Sequence, residues 1–149
     1  MPPQIEGVMV KKLSFIPDER GRLIEILRRD DPIFEKFGQI YLTTAYPGVI
    51  KAWHYHRLQK DYFAVLSGMA QIVLYDNREG SRTRGLVDEF FAGDYNPLLI
   101  SIPPQVIHGF KALGMKEVLL LNCPTEPYNH AEPDEYRLPV DTPMIPFQW

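Results

Sequence analysis

Two histidines stand two residues apart in Gly48-Val49-Ile50-Lys51-Ala52-Trp53-His54-Tyr55-His56, and they are the residues of this chain best arranged for chemistry. On a strand, side chains i and i+2 share a face, so His54 and His56 project side by side. Asp61 and His108, the latter in Ile102-Pro103-Pro104-Gln105-Val106-Ile107-His108-Gly109-Phe110, are the groups that could meet them in one cavity. Imidazole titrates near neutral pH, which suits proton transfer, and it is also a common metal ligand. Three imidazoles and a carboxylate suit Zn, Mn, Fe or Ni, and ligand type alone does not choose among them. The plainer alternative makes His56 a hydrogen-bonded pocket residue and pairs Asp61 with Lys60 or an arginine. Proton transfer and metal binding both stay open on the residues alone.

The elements that must hold these groups read as strands. Fourteen prolines and ten glycines in 149 residues interrupt long helices, and 12% aromatic residues favour strands. Met1 to Ser14 reads as an extended arm, Pro17 to Gly21 as a turn and Arg22 to Leu27 as a strand. Asp30-Asp31-Pro32 carries a helix-start signal, which predicts a short helix from Ile33 to Phe37. Strands are then expected at Gln39 to Ala45, Val49 to Tyr55, Tyr62 to Leu66, Ala70 to Tyr75, Leu86 to Phe91, Leu98 to Ile102, Gly109 to Leu113 and Glu117 to Asn122. Gly68 makes a turn, and Asp76 to Gly85 is a polar loop. From Cys123 the chain is Pro-rich and is expected to wrap the body as an irregular tail. Short strands at regular spacing predict an all-β sandwich or barrel, most simply a jelly roll, in a single domain over residues 1–149.

Composition narrows the partners. The net charge is −3, so no basic excess points to nucleic acid. No apolar run approaches 18 residues, which argues against a membrane span. Cys123 is the single cysteine, which fits a reducing compartment and a cytoplasmic location.

Written as patterns, the two segments are G-x5-H-x-H-x4-D-x6-G and P-x-Q-x2-H. They resemble the two motifs of the cupin superfamily, with Asp61, Gln105 and Ala112 where those motifs carry Glu, Gly and Asn. The resemblance implies a small jelly-roll barrel with the histidines pointing inward. The match is closer to the dTDP-4-dehydrorhamnose 3,5-epimerase family. Asp18-Glu19-Arg20-Gly21-Arg22-Leu23-Ile24-Glu25 resembles its D-x-R-G-x-F-x-E, and Gly48 to His56 resembles its G-V-L-R-G-L-H-Y-Q. Asp76 to Gly85 resembles D-x-R-x-x-S-P-T-F-G, and Ile102 to Phe110 resembles I-P-x-G-F-A-H-G-F. The segment from Lys51 to His56 is also similar to the R-G-x-H-A-H of nucleotide-sugar 3,4-ketoisomerases, where both histidines shuttle protons.

The family resemblance implies a nucleotide-sugar substrate, a 4-keto-6-deoxyhexose whose proton beside the ketone is removed and returned on the other face without a cofactor. His54 falls on the general-base histidine. Arg20 and His108 fall on positions that hold nucleotide or phosphate, Lys51 on an active-site arginine, and Glu25, Gln39 and Gln59 on further substrate contacts. The family's active-site lysine aligns with Asp61 and its acid tyrosine with Leu121. That leaves His56, Tyr128 or Tyr41 as candidate acids. Because the two departures at His56 and Asp61 restore a metal-cupin ligand set, the competing expectation is a divalent metal held by His54, His56, Asp61 and His108. A relative that binds ligand without catalysis is the third. The resemblance also implies a homodimer in which the apolar arm (Ile5, Val8, Val10, Leu13) crosses to a partner. Arg78, Arg82 and Arg84 are expected on a solvated loop, Trp53 in the core, and Cys123 as a buried inert thiol.

Overall fold

The computed structural model describes residues 2–149, so the first residue of the expected arm lies outside the described residues. The described chain forms twelve strands and no helix: β1 Met9–Lys12, β2 Phe15–Asp18, β3 Gly21–Ile24, β4 Tyr41–Ala45, β5 Ile50–Tyr55, β6 Asp61–Ser67, β7 Met69–Tyr75, β8 Val87–Gly93, β9 Leu98–Ile102, β10 Ile107–Leu113, β11 Val118–Asn122 and β12 Tyr136–Arg137. Two five-stranded antiparallel sheets, β1-β9-β6-β11-β4 and β12-β5-β10-β7-β8, face one another as a jelly-roll-like sandwich. The hairpin β2–β3 stands apart as a two-stranded sheet.

The space between the sheets is filled by inward side chains such as Ile72, Leu74, Ile100, Ile102, Phe110, Val118 and Leu120. Each sheet is also covered on its outer face. Tyr62, Ala64 and Leu99 pack outward under Leu13, Ile33 and the segment carrying Ile24, Ile26 and Leu27. On the other sheet, Trp53, Val73 and Ile107 lie beneath Ile145, Phe147 and Trp149 of the C-terminal tail. Double cover explains why β6 reads as a continuous apolar run rather than an alternating one. Trp53 is accordingly core: its ring meets Trp149 at 4.8 Å and its Nε1 donates to the Val140 carbonyl at 3.2 Å.

Four expectations need correction. No helix forms at Ile33 to Phe37; Asp31–Ile33 make only a turn. The Ile33 carbonyl accepts the Tyr62 hydroxyl instead of a helical N–H, and the Gly38 N–H donates to the Pro124 carbonyl, so this backbone is committed to tertiary partners. Gly38 also lies so close to the Glu126 backbone that any Cβ there would sit 2.4 Å from it. The expected turn at Pro17 to Gly21 narrows to Glu19-Arg20, with β2 and β3 running up to it on either side. The arm does not reach outward: β1 pairs with β9 of its own chain, Met9 opposite Ser101 and Lys12 opposite Leu98. The tail is irregular except at β12, which adds a short edge to β5.

Candidate active site

β5 and β10 lie side by side, with His54 and His108 opposite one another in the ladder. The register slips between His108 and Phe110, and a bulge of this kind re-aims side chains. Gly109 at the slip lies against Ala52, where an added Cβ would sit 2.4 Å from the Ala52 methyl. Only glycine fits there, which accounts for the His-Gly-Phe sequence. Gln105 takes φ +67°, a left-handed conformation that favours glycine, and its N–H donates to the His56 carbonyl at 2.6 Å.

Asp61, 1% exposed, begins β6 in the facing sheet and is the hub of the site. Its Oδ1 accepts the Gln59 and Asn122 side-chain amides at 2.6 and 2.7 Å. Its Oδ2 lies 3.2 Å from His56 Nε2 and 3.4 Å from His108 Nε2. The other ring nitrogens face main-chain carbonyls, His56 Nδ1 at 2.5 Å from Asp134 O and His108 Nδ1 at 3.1 Å from Val106 O. The Asp134 carboxylate in turn accepts the N–H groups of Arg57, Leu58 and Gln59, so the tail clamps the loop that carries His56.

Electrostatics sort the three histidines. Burial opposes charge on His56, but the Asp61 bond and attraction outweigh it and raise its pKa above the ordinary value. Burial likewise opposes ionisation of Asp61, yet the His56 and Asn122 bonds keep its pKa below the usual carboxylate range. His108 is driven down to about 4 by burial, which outweighs the opposing Asp61 charge and the Val106 carbonyl. His54 is lowered first by burial and then by the Arg137 charge. Asp61 is therefore anionic and His108 and His54 neutral near pH 7, while the shift on His56 favours its charged form beside Asp61.

His54, His56 and His108 line a cavity of about 480 Å³ with Tyr41, Thr43, Lys51, Phe63, Glu135 and Arg137. A neighbouring cavity of about 680 Å³ shares Tyr41, His56 and Glu135 with it and adds Gln39, Gln59 and Tyr128. Lys51 Nζ donates to Thr43 Oγ1 at 3.1 Å, keeping its charge at the wall. Among the sequence-nominated residues, then, Lys51, His54, His56 and His108 come together around Asp61, with Gln39, Gln59 and Tyr128 next door. Arg20 and Glu25 do not line either cavity. Arg20, with its side chain 82% exposed, pairs with Asp18 at the hairpin tip, and Glu25 pairs with Arg28. Arg78 is structural, bonding the buried Asp76, which also takes the Ser81 and Thr83 hydroxyls, whereas Arg82 is exposed, as expected of a solvated loop, and pairs with Glu6 at the surface. Cys123 packs beside the outer cluster, and burial raises its thiol pKa.

Three residues of the site were missed in the sequence. Glu135 and Arg137 sit in a Pro-rich tail with no motif, and Arg137 reaches the cavity because β12 pairs it opposite His54. Asn122 ends an apolar strand; an amide in such a run was the available signal.

His56, Asp61 and His108 bring their ligand atoms within 4.8 Å of one another, and His54 is not among them. The expected four-ligand metal set is therefore a group of three in this structure. With both Nδ1 atoms facing carbonyls, both Nε2 atoms face the carboxylate, so the donors fit a divalent cation; the His56–Asp61 ion pair satisfies His56 Nε2 and Asp61 Oδ2 by sharing a proton.

The comparisons with known proteins agree with this architecture. The family described as Polysaccharide biosynthesis C-terminal domain matches residues 16–136. The spore coat polysaccharide biosynthesis protein SpsL of Bacillus subtilis is 45% identical over 145 residues, covering 97% of this chain and 96% of that one. The probable low-salt glycan biosynthesis epimerase Agl13 of Haloferax volcanii is 41% identical, covering 99% and 96%. Among solved structures, a dTDP sugar isomerase from Desulfovibrio desulfuricans superposes with a TM-score of 0.92 at 40% identity, covering 97% and 92%. The chain belongs to the polysaccharide biosynthesis C-terminal domain family and is a cupin-type relative of the sugar epimerases its motifs resemble.

Proposed function

We propose that this protein epimerises or isomerises a nucleotide-linked 4-keto-6-deoxy sugar, with His54 as the base that removes the proton beside the ketone. The observation that carries this reading is a neutral His54 in a cavity that also holds two cations, Lys51 and Arg137. A proton beside a ketone leaves as its electron pair moves onto the carbonyl oxygen, and a positioned cation lowers that barrier. The family lysine that would serve is replaced by Asp61, but Asp61 is saturated by two amides and His56, and Arg137 brings positive charge to the cavity wall instead. The reaction so written uses no cofactor. Incubation with a dTDP-linked 4-keto-6-deoxyhexose in D2O is expected to wash deuterium into the carbon beside the ketone. No incorporation with any such sugar, together with tightly bound stoichiometric metal, overturns this reading.

That second result would favour a metal-dependent cupin enzyme. The geometry that supports it is the convergence of His56, Asp61 and His108, which would hold a divalent cation able to polarise a substrate oxygen.

A homodimer in the cytoplasm completes the proposal. The hairpin β2–β3 exposes Ile16 and Leu23, each more than half accessible, on an element that stands off both sheets. Burying that apolar face against a second copy suits a two-fold interface. Light scattering at micromolar concentration is expected to give twice the chain mass; a monomer there removes this part.

A further inference from the structure

We propose that Tyr41 is the proton donor on the face of the sugar opposite His54, aimed by Asn122. This rests on the epimerase reading above. Inversion needs a proton taken from one face of a carbon and another delivered to the opposite face, so base and acid must stand on opposing walls. His54 belongs to β5 in one sheet and Tyr41 to β4 in the other, and both line the same cavity.

The hydrogen bonds around Tyr41 leave its proton available. Asn122 lies directly across the β4–β11 ladder from Tyr41 and is wholly buried. Its Oδ1 accepts the Tyr62 N–H at 3.0 Å, which settles which end of the amide is which. Its Nδ2 then donates its two hydrogens, one to Asp61 Oδ1 at 2.7 Å and one to the Tyr41 hydroxyl oxygen at 2.8 Å. The Tyr41 oxygen is therefore an acceptor in this bond. Its own hydrogen has no acceptor among the described residues, and the cavity is the space left for it.

The other candidate acids are less suited. Both ring nitrogens of His56 are engaged, by the Asp134 carbonyl and by Asp61. Tyr128, about as exposed as Tyr41, packs edge-on against His130 and lines only the neighbouring cavity, away from His54. Leu121, at the position the family resemblance gives to a tyrosine, has nothing to donate. Burial and the Asp61 charge push the Tyr41 phenol up to about 12, so it stays protonated between turnovers.

The step balances without a co-reactant. The C–H bond beside the ketone breaks, its pair moves into the enolate, and the proton goes to His54. The enolate carbon then takes the Tyr41 hydrogen on the opposite face as the O–H bond breaks. The tyrosinate formed is held by the Asn122 N–H, and solvent carries a proton from His54 back to Tyr41.

The experiment compares wild type, Tyr41→Phe and Tyr128→Phe in D2O with a dTDP-linked 4-keto-6-deoxyhexose, following deuterium at the carbon by mass and inversion by NMR. Wild type is expected to do both. Tyr41→Phe is expected to keep exchange, because His54 can return a solvent-derived deuteron to the face it came from, while inversion falls by about 100-fold or more. Tyr128→Phe is expected to keep both. Inversion within a few-fold of wild type in Tyr41→Phe, or the exchange-without-inversion signature in Tyr128→Phe, overturns the assignment. Wild type that exchanges no deuterium overturns the epimerase reading itself, and Tyr41 with it.

Discussion

Replacing His54 with Asn lowers turnover by about a thousandfold while the protein folds as before. The side chain is half-buried and takes part in no hydrogen bond among the described residues, so asparagine removes the base without orphaning a partner. The pH dependence follows from the same group. A base works only when unprotonated, so kcat/KM falls as pH drops through the His54 pKa. Burial and then Arg137 lower that pKa, with Glu135 opposing, so the acid limb lies below the 6.5 of an ordinary histidine. A pH–rate profile with its acid limb at or above 7, or a His54→Asn enzyme within tenfold of wild type, would transfer the role to another residue.

Asp61→Asn has the second large effect, on stability as well as activity. Removing one member of a buried, hydrogen-bonded ion pair costs about 3 kcal/mol, read by chemical denaturation. The loss should depend on pH. In the folded protein the His56 pKa is raised above its unfolded value, so the pair stabilises fully below about pH 6.5, down to the acid range in which Asp61 itself protonates. That contribution fades as pH rises through the raised His56 value, and the variant should lack this dependence. Activity distinguishes the two chemistries. If Asp61 serves the proton-transfer site, the variant keeps part of its turnover with an altered pH profile. If His56, Asp61 and His108 hold a cation, metal content and activity vanish together. A variant as stable as wild type at pH 6 would show that the carboxylate is not the hub the geometry makes it.

Much of the fold was legible because a jelly roll is built from local signals. Gly68, at φ +78°, turns β6 into β7 at the expected place, and its Cβ would come within 2.8 Å of the Glu117 carbonyl. The strands from β4 to β11 fall within about two residues of expectation, since alternating or doubly buried apolar runs bounded by turn residues report strands directly. The helix failed for a non-local reason. The Asp-Asp-Pro start signal is real, but the Ile33 carbonyl and the Gly38 amide are claimed by Tyr62 and Pro124, distant in sequence.

The candidate site divides along the same line. Strand periodicity by itself predicted that His54 and His56 share a face, and the motif resemblance nominated Asp61 and His108 as the groups that could meet them. Local spacing carries that information because strand geometry is fixed within a segment. Which imidazole is free and which is locked was a tertiary matter, decided by Asp61 arriving from the facing sheet and by the Asp134 carbonyl from the tail. The same holds for Arg137 against His54, Asn122 between Asp61 and Tyr41, and the removal of Arg20 to a distant hairpin. The contacts of His56 with Asp134, His54 with Arg137, and Asn122 with Asp61 and Tyr41 join residues more than 60 positions apart, and pKa values follow burial and charge at a few ångströms. No spacing along the chain encodes such distances; only the packing of one sheet on the other sets them.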